Sequence, residues 1–199
     1  MLKVGLTGSI AVGKSFVCEV FREFGASVLD ADQTAREVVA PETEGLKRIV
    51  ETFGVQILTE RGELDRAKLG VLVFADEAKR QLLNRIVHPL VIEKQDEWLE
   101  KCRLKGANSI CIVDAALMIE SGAYKRFDRL IVVWCDAGIQ LRRLMKRDRF
   151  DEIEAKKRIN AQMPQAEKKR FADFLIDTSE GFKATRAQTT AIFVQLKLL

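Results

Sequence analysis

Histidine occurs once in the 199 residues, at His88, so a mechanism built on a His-paired serine or cysteine nucleophile has a single base to draw on. Proline is nearly as scarce, with three, which excludes a proline-rich linker and leaves helices free to dominate. The four cysteines, Cys18, Cys102, Cys111 and Cys135, form no C-x-x-C pair. Neither a zinc site nor a disulfide framework is indicated, and reduced, buried thiols are the expectation. No run approaches the ~18 apolar residues needed to cross a bilayer. Met1-Leu2-Lys3-Val4-Gly5-Leu6 lacks the apolar region and cleavage site of a signal peptide. A cytoplasmic protein without membrane attachment is expected.

What is present fits one α/β domain. Hydrophobic residues make up 47% and charged residues 31%, ordinary for a globular chain. Lys and Arg outnumber Asp and Glu by 33 to 29, a net charge of +4. That mild excess suits phosphate-bearing small molecules, whereas a nucleic-acid binder is usually more basic.

Lys3–Leu6 reads as a strand running into Thr7-Gly8 and then a helix, with Val17, Val20, Phe21 and Phe24 on one face and Gly25 as its stop. Ser27–Leu29 is a second strand, followed by Asp30-Ala31-Asp32. Signals from Gln33 to about Gly106 are mostly helical, with Gly62-Glu63-Leu64-Asp65 opening one helix and Val87–Leu104 carrying another. Strands return at Ile110–Val113, Leu130–Cys135 and Phe174–Ile176. Between the last two lie basic helical segments, Gln140–Asp148 and Glu154–Gln162, then Pro164 and a helix starting at Lys168. A C-terminal helix runs through Thr185 to Leu198. Strands alternating with helices predict a parallel sheet covered on both faces.

Gly8-Ser9-Ile10-Ala11-Val12-Gly13-Lys14-Ser15 matches G-x-x-x-x-G-K-S/T at every fixed position, between a strand and a helix. Successive backbone N–H groups in such a loop cradle a triphosphate, and the helix that follows offers its positive end. Lys14 is placed to reach the β- and γ-phosphates, and the Ser15 hydroxyl suits Mg²⁺. An ATP site follows.

The GTPase strings N/T-K-x-D and D-x-x-G are missing. A loop at the start, a helical insertion and a late basic segment fit a small-molecule kinase, in which the insertion binds the acceptor and the basic helices close as a lid. A nucleoside or nucleotide kinase shares those parts, and a nucleotide-gated binding protein would keep the loop without turnover.

The chain resembles the dephospho-CoA kinases along nearly its whole length. The resemblance rests on the loop, Asp30-Ala31-Asp32 with Ala35-Arg36, Gly62-Glu63-Leu64-Asp65-Arg66, Val73-Phe74, His88-Pro89, Gln140 with Arg143 and Arg147-Asp148, Arg158-Ile159 with Gln162-Met163-Pro164, Lys168 or Lys169, Ala172-Asp173 and Ile176-Asp177. The chain departs from the family pattern at Ser9 and Ala11, where glycines are common, and at Val12, Phe16, Ala116 and Thr178. The resemblance implies phosphorylation of the ribose 3′-hydroxyl of dephospho-CoA by ATP. It implies that Asp32 orients that hydroxyl and takes its proton, as kinases commonly arrange. Arg36, one helical turn beyond Asp32, and His88 would line the acceptor pocket, with a surface arginine and a helix-start histidine as the plainer readings.

Arg143 and Arg147 are four apart and share a helix face, and the family pattern implies that they grip the ATP phosphates. Arg142, Lys146 and Arg149 read as solvated, and Lys168, Lys169 and Arg170 as a solvated helix start.

The expected whole is an α/β P-loop kinase with a five-stranded parallel sheet flanked by helices. Its core would take residues 1–32, 107–137 and 166–199, its acceptor-binding insertion 33–106 and its lid 138–165. Lys14, Asp32 and Arg143 would be catalytic. Residues Gly8 to Phe16 (Gly8, Ser9, Ile10, Ala11, Val12, Gly13, Lys14, Ser15, Phe16) would bind ATP with Arg143 and Arg147, and Ser15 would hold Mg²⁺. Dephospho-CoA and ATP are the expected partners of a monomer or weak homo-oligomer, without nucleic acid or membrane.

Overall fold

Short apolar runs form five parallel strands: β1 (Leu2–Thr7), β2 (Ser27–Asp30), β3 (Ile110–Asp114), β4 (Arg129–Trp134) and β5 (Phe174–Asp177). Their order is β2-β3-β1-β4-β5, so β1 lies in the middle. Val4 is opposite Ile112 on one side and Arg129 on the other. β3 and β4 are almost wholly buried, as strands covered on both faces must be. The computed structural model describes residues 1–104, 106 and 109–199.

Two compact units divide the chain: residues 1–30 with 99–199, and residues 31–98. In the first, helix α1 (Lys14–Glu23) buries Val17, Val20 and Phe21, while Phe24 ends up just past the helix. Phe24 and Phe21 meet Phe193 on the C-terminal helix Gly181–Leu196, with ring centroids 5.4 and 6.4 Å apart. The core joins Val17, Phe21 and Phe193 to Val4, Leu6, Ile112, Ile131, Val133 and Ile176.

The second unit is helical. It holds α2 (Ala31–Glu37), α3 (Glu44–Phe53) and α4 (Arg66–Phe74) around Val38, Val39, Ile49, Phe53, Ile57 and Leu69. Thr43 caps α3, and Asp65 caps α4 by accepting from Ala67 and Lys68 N–H at 3.1 and 3.0 Å. Helix α5 runs unbroken from Glu77 to Arg103 with Pro89 inside it. The helix was expected to begin at Val87. Proline removes one backbone donor, and a 27-residue helix keeps its remaining bonds. His88 is therefore a mid-helix residue, not a helix start. The sequence-based boundary at 106/107 falls on Ala107, which lies outside the described residues.

The basic segment forms α6 (Ala137–Asp148) and α7 (Glu152–Asn160), capped by Asp136 and Asp151. Lys168 does not start a helix. It ends the single turn α8 (Gln165–Lys168), which Pro164 opens, and α9 is the C-terminal helix Gly181–Leu196.

Candidate active site

The loop after β1 is shaped by two backbone demands. At Gly8 any Cβ would come within 2.3 Å of the Val133 carbonyl oxygen, so the loop can pass β4 only without a side chain. Gly13 has φ 92°, in the left-handed region, and hands the chain into α1. No side chain caps α1 and no acidic residue lies in its first turn. Its leading N–H groups are thus available to an anion, which the helix dipole favours.

In front of them lies a cavity of about 500 Å³, lined by residues 9 and 11–15 of the loop and by Arg143, Lys146 and Arg147 of α6. The structure brings together Ser9, Ala11, Val12, Gly13, Lys14, Ser15, Arg143 and Arg147 as the sequence suggested. Gly8 and Ile10 do not line this cavity, Gly8 because it packs on β4 and Ile10 because its peptide is turned to α6 and the segment after α7. Lys146, read as solvated, is exposed, and from three residues beyond Arg143 on the same face it also lines the cavity. Arg142 faces elsewhere.

Lys14 is held 3.8 Å from Asp114 Oδ1 at the end of β3. Cys18 donates to the other carboxylate oxygen at 3.5 Å. Burial, reinforced by that carboxylate, pushes the Cys18 thiol far above the usual range. It stays protonated and offers no nucleophile.

Arg143 is fixed before any ligand arrives. Its two terminal nitrogens donate to Thr178 Oγ1 and to the Thr178 carbonyl, both at 2.8 Å. Thr178 Oγ1 in turn donates to the Val12 carbonyl at 2.7 Å. Thr178 thus ties the sheet, the loop and α6 together. Arg147 is looser, paired with its neighbour Asp148 at 2.8 Å and half exposed. Beside the main cavity a smaller one of about 130 Å³ is lined by Phe16, Arg143, Thr178 and Phe182. The rings of Phe16 and Phe182 are 4.7 Å apart.

Lys168 is the clearest correction. It was read as part of a solvated basic run, yet it is completely buried. Its Nζ lies 2.7 Å from Glu120 and 2.8 Å from the Ala116 carbonyl. Burial pulls the ammonium below the usual lysine range, and Glu120 opposes that shift. Lys169 lies over the Trp134 ring, 3.9 Å from its centroid. A partner 48 residues away leaves no local mark, so the run gave the wrong environment for Lys168, whereas Arg170 is exposed.

Asp32, Arg36 and His88 belong to the helical unit. Asp32 sits in the first turn of α2, immediately after β2 ends at Asp30. All three are exposed. The Arg36 carbonyl accepts from Arg66 at 3.5 Å. Among the described residues no hydrogen bond or ion pair fixes the side chains of Asp32 or His88. Thr178, Gln140 and Gln162 carry more of the site than sequence reasoning assigned them. The only signals were a polar residue where the last strand ends and the place of the glutamines in the family pattern.

The dephospho-CoA kinase family model matches residues 2–184. A dephospho-CoA kinase of Geobacillus kaustophilus is 46% identical over 194 residues, covering 98% of this chain and 96% of that one. A dephospho-CoA kinase domain-containing protein of Danio rerio is 41% identical, covering 98% and 86%. Among solved structures, TT1252 from Thermus thermophilus superimposes with a TM-score of 0.85 at 27% identity over 98% and 97% of the chains. Dephospho-CoA kinase from Campylobacter jejuni gives 0.72, also at 27% identity, over the same shares.

Proposed function

The chain belongs to the dephospho-CoA kinase family, and on that premise we propose how its residues divide the transfer of a phosphoryl group to the acceptor's ribose 3′-hydroxyl. The activity is ATP-dependent phosphorylation of dephospho-CoA in coenzyme A biosynthesis, with ATP as co-substrate. One observation carries the assignment of residues. An uncapped helix N-terminus and four cations, Lys14, Arg143, Lys146 and Arg147, converge on one cavity of triphosphate size.

The loop N–H groups would hold the β-phosphate, and Lys14 would bridge to the phosphoryl group in flight. Arg143, already aimed by Thr178, would meet charge developing between donor and acceptor, with Arg147 joining when the basic helices close as a lid. The Phe16–Phe182 pair beside the loop would stack on the base. The available donors near Lys14 are hard oxygens, the Ser15 hydroxyl and the Asp114 carboxylate, and they fit Mg²⁺, which takes its remaining ligands from phosphates and water. Bound there, Mg²⁺ would neutralise phosphate charge. Asp32 would orient the acceptor hydroxyl and accept its proton, with Arg36 and His88 contacting the acceptor.

The test is ADP release by the purified protein with Mg-ATP and a panel of acceptors. Dephospho-CoA should be preferred, with adenosine and nucleoside monophosphates much poorer. Equal turnover with a nucleoside monophosphate would overturn the acceptor assignment, and no acceptor-dependent turnover would overturn the catalytic one.

A further inference from the structure

Two glutamine side chains, Gln165 and Gln140, run in single file from the end of β4 to the phosphate loop, and a third, Gln162, meets the loop from the other side. Cys135 N–H donates to Gln165 Oε1 at 3.0 Å, and Gln165 Nε2 donates to Gln140 Oε1 at 2.7 Å. Gln140 Nε2 then donates to the Ile10 carbonyl at 2.8 Å. From the other side Ile10 N–H donates to Gln162 Oε1 at 2.7 Å. The backbone N–H of Cys135 can only donate, so it fixes which end of Gln165 faces it. That choice passes along the file and leaves Gln140 presenting a donor to the loop. Gln140 is buried, which makes an unsatisfied amide there costly and the orientation firm.

The carbonyl that Gln140 holds belongs to the Ile10–Ala11 peptide. In a trans peptide the C=O and N–H point to opposite sides, so holding the Ile10 oxygen on the α6 side sends the Ala11 N–H the other way. Ala11 lines the phosphate cavity, and its N–H has no partner among the described residues. Ala11 also has φ 60°, a left-handed conformation that an alanine adopts only under strain. Rotating this peptide by half a turn would relieve the strain and swing the N–H out of the cavity, replacing it with a carbonyl that repels phosphate. The Gln140 hydrogen bond opposes that rotation.

We propose that Gln140 is a positioning residue for phosphoryl transfer, holding the Ile10–Ala11 peptide in the one orientation that offers the Ala11 N–H to ATP. Gln162 secures the preceding peptide plane. Gln162 is aimed in turn by its neighbour Met163, whose N–H donates to Glu120 at 3.1 Å. The proposal deepens the reading of the loop as the ATP phosphate site and rests on it.

The experiment is calorimetric ATP titration and steady-state kinetics on Gln140→Leu, alone and combined with Ala11→Gly. Gln140→Leu should weaken ATP binding about tenfold and raise KM for ATP by a similar factor, leaving KM for dephospho-CoA unchanged. Glycine at position 11 carries no left-handed strain, so nothing drives the rotation, and the double variant should recover most of the lost affinity. A merely structural glutamine would show no such rescue. Wild-type ATP affinity in Gln140→Leu, or a double variant as weak as the single one, would overturn the proposal. If Gln140→Leu does not fold, Gln162→Leu at a half-buried position serves instead: a several-fold loss of ATP affinity supports the proposal and wild-type affinity overturns it. Lys14→Ala run in parallel separates the two readings. An unweakened Lys14→Ala protein tells against the loop as the phosphate site, whereas a weakened one beside an unaffected Gln140→Leu tells against the positioning role alone.

Discussion

The phosphate side and the helical unit are held together by different means. Around the loop, side-chain hydrogen bonds join residues far apart in sequence, such as Thr178 to Val12 at a separation of 166 and Gln140 to Ile10 at 130. In the helical unit the ion pairs are local and exposed, as with Arg48 and Glu44 one turn apart, and the shape comes from apolar packing around Ile49, Phe53 and Ile57. Polar cross-links fix directions, which a phosphate cradle needs, while apolar packing fixes positions and leaves the side chains of Asp32 and His88 exposed.

The comparison makes predictions of decreasing size. Lys14→Ala should lower kcat/KM for ATP by about 10²–10³-fold, the loss typical when one preorganised positive group leaves a transition state. Lys168→Ala should leave a cavity and take its donor from the Ala116 carbonyl, costing about 3 kcal/mol and lowering the thermal midpoint by about 6–12 °C. Asp32→Asn should do the opposite, lowering kcat about 10²-fold in steady-state assays while ATP titration and melting stay as in the parent. Normal kcat in that variant would remove Asp32 from the reaction.

Arg143→Ala should lower kcat/KM for ATP about tenfold and, because it abandons two hydrogen bonds to Thr178, also lower the ligand-free midpoint by a few degrees. Arg147→Ala and Arg142→Ala should leave that midpoint in place, and Arg142→Ala should leave ATP kinetics in place as well. The smallest expected loss is that of Arg48→Ala, whose exposed pair with Glu44 should contribute under about 0.5 kcal/mol by thermal melting. A loss comparable to that of Lys168→Ala would erase the contrast between the two regions.

Legibility in the sequence follows the same division. The loop could be read because its demands are contiguous: glycines at 8 and 13, then Lys14 and Ser15, between an apolar strand and a periodic helix. The strands and the phase of α6 were legible for the same reason, since periodicity is local. Lys168 was misread because its burial depends on Glu120, 48 residues earlier. The helix through Pro89 was cut short because proline's local penalty is visible in the sequence and the packing that outweighs it is not. Gln140, Gln162 and Thr178 could be noticed as positions, but their roles exist only across the fold.

The central place of β1 has a consequence for synthesis. The residues of the phosphate loop are made early, yet the strands flanking β1 begin only at Ile110 and Arg129, and the hydroxyl that grips Val12 belongs to Thr178. At ~5–20 residues per second, roughly eight to thirty seconds separate the making of Val12 from that of Thr178. For most of that interval the nascent loop lacks β4 beside it and Arg143 before it. The earliest-made part of the nucleotide site is therefore among the last to take shape.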